Sequence, residues 1–313
     1  MLTSKLYESV LIDPADQADR LTIVSGYASA AFARRHLSDL RAKEGSPPEV
    51  RLIIGMEKRA NDHLAFVQLH EESPNFTAYY LEGRPPVHSK VYAWSGKSSQ
   101  GSGFAGSANY SQYGFFENEQ INQMSHEDPL KILNFFEDLL LRCVPVLEAS
   151  VTAPVVPILL PTSSEDASPG DVRWEQPDKV VRISFLEQRK GKLPKRSGLN
   201  WGQRPELGRA PNQAYLSLKK DSKKEGFLPP RAIRFTLITD DGQAFDCVRA
   251  QQGDKAIHTT DDNSLLGAYI RDRIGVASGV LVRREDLERY GRTDFTLSKL
   301  DDETFMLDLS VPG

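Results

Sequence analysis

Two cysteines in 313 residues are too few for a disulfide framework. Cys143 and Cys247 stand far apart, outside any Cys-x-x-Cys or Cys/His ligand spacing. They fit a reducing interior, give zinc no foothold and read as buried small hydrophobes. Long apolar runs are absent too. Stretches such as Val155 to Leu160 fall far short of the roughly 20 residues that cross a bilayer, and the opening Met1-Leu2-Thr3-Ser4-Lys5 lacks the apolar region of a signal peptide. A soluble, cytoplasmic protein with no membrane partner is expected. No Gly-x-x-x-x-Gly-Lys-Ser/Thr run exists, which excludes ATP binding through a P-loop. Asp261-Asp262-Asn263 lacks the Asp-x-Asp-x-Asp-Gly pattern of a calcium loop and reads as a helix cap. His63 and His70, seven apart on a predicted helix, read as surface histidines rather than a metal pair. With no clustered acidic site either, neither a metal nor another cofactor is expected.

What the chain does have is enough apolar content, 39%, to give each of two domains a core. The joint between them falls in the Pro-rich tract from Ala149 to Asp171, whose prolines at 154, 157, 161 and 169 forbid a continuous helix or central strand. This predicts a first domain over 1–150, a linker over 151–171 and a second domain over 172–313. In the first, apolar strands alternate with helices: Leu21 to Ser25, a helix at Ala30 to Arg41, Val50 to Met56, and a helix at Asn61 to His70. Strands follow at Thr77 to Leu81, Val87 to Trp94, Gly103 to Gly106 and Gln120 to Met124. A last helix from Asp128 to about Cys143 carries a core stripe of Leu130, Leu133, Phe136 and Leu140. Such alternation indicates an α/β layer fold. The second domain reads as mostly β, a small barrel or sandwich of short alternating runs. Its one clear helix spans Ser264 to Arg273, with Leu265, Leu266 and Ile270 on one face.

The net charge of −4 hides an asymmetry. Between Arg182 and Lys224 there are 12 Lys and Arg against Glu187, Glu206 and Asp221, a local surplus that marks a polyanion-binding stretch. A solvated basic loop is the plainer alternative.

Of the six histidines, only His88 is expected within a β-type run, and on a strand it would project beside Lys90. A titratable imidazole next to a fixed ammonium suits in-line attack on a phosphodiester: one attacks or protonates, the other holds the non-bridging oxygens. The run Gly103-Phe104-Ala105-Gly106-Ser107-Ala108-Asn109 ends in small residues that let backbone approach a phosphate, with Ser107 and Asn109 as neutral donors. Glu119 heads the next strand, where a carboxylate could orient an imidazole.

These residues resemble the phospholipase D superfamily, whose signature joins His-x-Lys to Gly-Ser-x-Asn and a later Glu. His88, Lys90, Gly106, Ser107, Asn109 and Glu119 match it. Ser95 stands where the family has Asp, and Glu119 falls one residue early. The arrangement of this half, a Pro-rich joint and a basic β half is similar to the phospholipase D-type restriction endonucleases of the BfiI and NgoAVII kind. That resemblance implies a mixed sheet flanked by helices, then a B3-like pseudobarrel that grips double-stranded DNA through two arms. Superfamily chemistry uses two histidines, one forming a phosphohistidine. A chain with one His-x-Lys is therefore expected to pair as a homodimer around one metal-independent centre built from His88, Lys90, Ser107, Asn109 and Glu119 of each copy. Relatives of this kind work with a separate ATP-dependent helicase-like subunit, so such a partner is expected to be possible, and ATP would enter only through it.

The first arm is assigned to residues 188–204, whose cations fix phosphates while Asn, Gln and Arg can read base edges. Its expected DNA contacts are Arg189, Lys190, Lys192, Lys195, Arg196, Asn200, Trp201, Gln203 and Arg204; Trp201 as a packing anchor is the alternative. A second arm is assigned to Gln251, Gln252 and Lys255. The expected activity is sequence-specific cleavage of duplex DNA. The alternatives are a lipid or nonspecific phosphodiesterase of the same superfamily, or a DNA-binding protein whose nuclease half has decayed.

Overall fold

A computed structural model describes residues 1–56, 60–83, 85–96, 101–117, 121–151, 180–187, 191–218, 227–231, 233–250, 256–260 and 262–311, with the side chains of 60, 61 and 117 excepted. The linker expected over 151–171 lies outside them but for its first residue, as do Glu119, Arg189, Lys190, Gln251, Gln252, Lys255 and Asp261. The chain divides into two compact units, Met1–Ala153 and Pro154–Gly313.

The first unit is built on strands β1 (Arg20–Ser25), β2 (Glu49–Ile54), β3 (Phe76–Leu81), β4 (Lys90–Ser95), β5 (Ser102–Gly106), β6 (Met124–Glu127) and β7 (Cys143–Pro145). They form one mixed sheet in the order β6-β5-β4-β1-β2-β3-β7. β1, β2 and β3 run parallel, joined by helices α1 (Ala30–Arg41) and α2 (Ala60–Glu72), as parallel neighbours require. β4, β5 and β6 are antiparallel. Buried on nearly every residue, β1 occupies the middle of the sheet. The α1 helix starts where Ser29 accepts from the Phe32 amide, and it buries Phe32, His36, Leu37 and Leu40. The α3 helix (Pro129–Leu140), capped by Asp128, buries Ile132, Phe136 and Leu139. Leu130, assigned to that stripe, is 66% exposed, because it sits in the first turn, beyond the end of the packed face. Cys143, expected in the interior, is only partly covered, although burial still pushes its thiol up to about 11; Cys247 is buried.

The second unit is a curled half-barrel of β8 (Val180–Ser184), β9 (Leu216–Ser217), β10 (Arg234–Thr239), β11 (Ala244–Ala250), β12 (Ala256–Thr259), β13 (Asp294–Lys299) and β14 (Thr304–Asp308). Its order is β8-β13-β14-β10-β11-β12-β9. All pairs are antiparallel except β10 with β14. Helices α4 (Leu265–Arg273) and α5 (Arg284–Tyr290) complete it, and Leu266, Ile270 and Leu287 join the sheet residues in one core. Leu265, expected on that face, is half exposed at the helix start. Among the described residues no helix is long and apolar enough to cross a membrane.

His36 carries a pH dependence. It is fully buried, its Nε2 3.0 Å from the Leu11 carbonyl and its Nδ1 2.7 Å from the Tyr110 hydroxyl. Burial holds its pKa down at about 4. An unfolded His takes its proton near 6.5, so the unfolded state binds more protons below that value and stability falls with pH. Stability is therefore flat above about 6.5 and declines as the pH drops toward about 4, by about 3 kcal/mol in all. Urea unfolding across this window is expected to show that slope in the wild type and to lose it in His36→Gln; equal slopes would refute the assignment.

Candidate active site

Strand register brings the motif residues to one end of the sheet. Ser25 of β1 pairs with Lys90 of β4, and β4 pairs with β5 so that the Lys90 and Gly106 ends coincide. The structure corrects one detail: β4 begins at Lys90, and His88 lies in the extended lead-in after Pro85 and Pro86, whereas His126 and His258 sit in β6 and β12. Two backbone bonds fix that lead-in, from the Val87 amide to the Gly55 carbonyl (2.7 Å) and from the Gly26 amide to the Ser89 carbonyl (2.8 Å). His88 is exposed, while Lys90 is 8% exposed with its Nζ 3.1 and 3.3 Å from the two ring nitrogens. The ammonium also donates to the His88 carbonyl at 2.7 Å. No carboxylate pairs with Lys90 among the described residues, and burial lowers its pKa. A desolvated cation beside an exposed imidazole is a seat for an anion.

Ser107 is exposed at the end of β5; its hydroxyl donates to Asn122 Oδ1 (2.9 Å) and accepts from the Gln123 amide (3.0 Å). The Asn109 side-chain oxygen accepts from the Tyr27 amide (3.3 Å), which leaves its NH₂ group as the donor it can present outward. Glu119 lies outside the described residues, so its orienting role has no geometry here. Among the described residues no group of three or more His, Cys, Asp and Glu could hold a metal ion.

Three contributors escaped sequence reasoning. The Tyr27 ring meets His88 edge-on at 5.6 Å, and Tyr27 reaches Asn109 through its amide, so one residue touches both motif segments. Asn122 aligns Ser107. At Gly26 a Cβ would fall 2.8 Å from His88 Cδ2, so the backbone of β1's end forms a wall against the imidazole. The only sequence signal was a Gly-Tyr pair after a buried strand. Gly26→Ala is expected to lower cleavage about 10²-fold by tilting the ring, with a small change in Tm; wild-type turnover would disprove the contact's importance.

In the second unit the first-arm residues divide. Lys192 and Lys195 are exposed and Arg204 half exposed, without carboxylate partners among the described residues. Arg196 is exposed but paired with Glu206. Asn200, assigned as a base reader, is corrected: it is fully buried, donates to the Pro194 (2.9 Å) and Val282 (2.8 Å) carbonyls and accepts from the Val282 amide. With every polar atom committed inside the fold it has nothing to offer a base. Gln203 is half exposed, but its NH₂ group is held by the Pro211 and Gly279 carbonyls rather than offered to a base. Trp201 is the packing anchor of the alternative reading, stacked under the Arg209 guanidinium at 3.7 Å and edge-on to Tyr215.

Residues 4–149 match the family model of the NgoFVII restriction endonuclease N-terminal PLD domain, and residues 175–301 match that of the NgoFVII C-terminal B3-like DNA-binding domain. Among solved structures, the chain is similar to NucT from Helicobacter pylori, at 18% identity over 46% of this chain and 92% of that one, TM-score 0.36. It is also similar to Nuc from Salmonella typhimurium, a phospholipase D family member, at 12% identity over 43% and 87%, TM-score 0.32. No curated protein matches. With one model matching each unit, the chain belongs to the NgoFVII-like family of phospholipase D restriction endonucleases, a PLD nuclease domain followed by a B3-like DNA-binding domain.

Proposed function

We infer that the chain cuts double-stranded DNA at or near a specific sequence by a metal-independent, two-histidine mechanism. The observation that carries this reading is the buried Lys90 ammonium against the exposed His88 ring. A phosphodiester seated there has its non-bridging oxygens on Lys90 and on the Asn109 NH₂ group, which neutralise the charge a divalent ion would otherwise meet. A His88 ring nitrogen then attacks phosphorus: the N–P bond forms as the P–O bond to the leaving oxygen breaks. That oxygen takes its proton from a second imidazole. Water next attacks the phosphohistidine, giving up a proton to the second imidazole and returning His88 free.

The second imidazole is His88 of another copy of this chain. Of the other histidines, His36 is locked in the core, and none of His63, His70, His126 and His258 has a Lys two residues on. A two-fold axis through the Lys90 end of the sheet supplies a matching His88, Lys90, Ser107 and Asn109, with Glu119 of each copy as the proposed orienting carboxylate. In the second unit Lys192, Lys195 and Arg204 hold phosphates and position the arm, with Arg189, Lys190, Gln251, Gln252 and Lys255 proposed to contact DNA beside them. A separate ATP-dependent subunit remains compatible with this scheme and supplies no group to the cutting site. Incubating the purified chain with plasmid DNA in excess EDTA tests it: nicked and linear products are expected, and cleavage that returns only on adding a divalent ion would overturn the metal-independent mechanism.

A further inference from the structure

Segment 198–213 is a folded limb pair, not an open loop. The Gly202 amide donates to the Gln213 carbonyl (2.7 Å), and a Cβ on Gly202 would fall 2.3 Å from the Ala210 carbonyl oxygen, so its two sides touch backbone to backbone. The pair rests on α4, where a Cβ on Gly267 would lie 1.9 Å from the Asn212 carbonyl oxygen. One turn further along the same helix face stands Arg271, 1% exposed. Its guanidinium donates to the carbonyls of Leu199 (3.0 Å) and Pro211 (3.5 Å) in the limbs, Val280 (2.8 Å) in the following loop, and Gly267 (3.0 Å). None of these partners is a carboxylate. Asn200, Gln203 and Asn212 add ties from the limbs to Val282, Gly279 and Ser278.

We propose that Arg271 is a positioning residue for sequence reading: its buried fork joins both limbs of segment 198–213 to α4 and to the 278–282 loop, so the arm meets DNA already in its bound shape. The proposal rests on the reading of 188–204 as a DNA-contacting arm, which the first limb of this pair continues. Base recognition needs donors and acceptors held to fractions of an ångström, whereas phosphate contacts tolerate movement. A braced arm therefore sharpens discrimination by removing the ordering cost of the right complex, and contributes little to nonspecific attraction. Lysine cannot replace the fork, because a single ammonium does not span carbonyls from three segments.

The test uses the full chain in a His88→Ala background, bound to a randomised duplex DNA pool whose retained fraction is weighed and sequenced. Arg271→Lys and, separately, Gln203→Ala are expected to retain the pool within about twofold of the parent while enrichment of the parent's preferred sequence falls about tenfold. A core control, whichever of Leu307→Val and Leu307→Ala matches their Tm, is expected to keep the full enrichment. Undiminished enrichment in the brace variants, or equal loss in the core control, would overturn the proposal. If Arg271→Lys does not fold, Gln203→Ala carries the test. The arm reading fails by a different result: Lys192→Ala/Lys195→Ala retaining the pool as the parent does.

Discussion

His88→Ala is expected to lower single-turnover cleavage of duplex DNA by about 10⁴-fold or more, with affinity for the same duplex changed less than about twofold. The size follows from removing a covalent nucleophile, after which only water and the remaining electrostatics act. The selectivity follows from position: His88 is exposed at the end of the sheet in the first unit, while the B3-like DNA-binding domain is the second. Lys90 would keep its seat for phosphate. Mixing the variant with wild type adds a sharper reading, because a site shared by two copies loses activity in every mixed pair. Activity that falls only in proportion to dilution, or a variant that still nicks DNA at the normal rate, would count against the mechanism.

Removing Lys192, Lys195 and Arg204 together is expected to weaken binding about 10²-fold at physiological salt and to flatten the dependence of log K on log salt by about 2.7, roughly 0.9 per lost phosphate contact. Arg196→Ala is expected to do less, since its guanidinium already faces Glu206 at the surface. Asn200→Ala is expected to lower Tm, leaving the Val282 amide and two carbonyls without a partner. Salt titrations by filter binding separate these cases. An unchanged slope in the triple variant would remove the arm from the DNA interface.

The sequence disclosed what is local. His88 and Lys90 two apart, and a Gly-Ser-Ala-Asn turn closing a strand, carry their chemistry within a few residues, and the antiparallel pairing of β4 with β5 then brings them together. Gly26 and Tyr27 were illegible because their role depends on β1 lying beside β4, a long-range pairing that no periodicity announces. Asn200 and Gln203 were misread for a related reason. An amide that ties backbone and an amide that reads a base are the same residue type, and only the partners the fold gives them separate the two. The ends of helical stripes failed at Leu130 and Leu265, where the period continues past the last packed turn. The parallel β10–β14 pair, which joins distant segments of the half-barrel, was equally invisible.

The most direct measurement is acid-free quenching of the chain during cleavage of a labelled duplex, followed by mass spectrometry of the protein–DNA adduct. The account predicts a phosphoramidate on the His88 ring, stable in alkali and released by acid. An adduct on any other residue, or cleavage at full rate with no covalent species in a time course that resolves the first turnover, would contradict it.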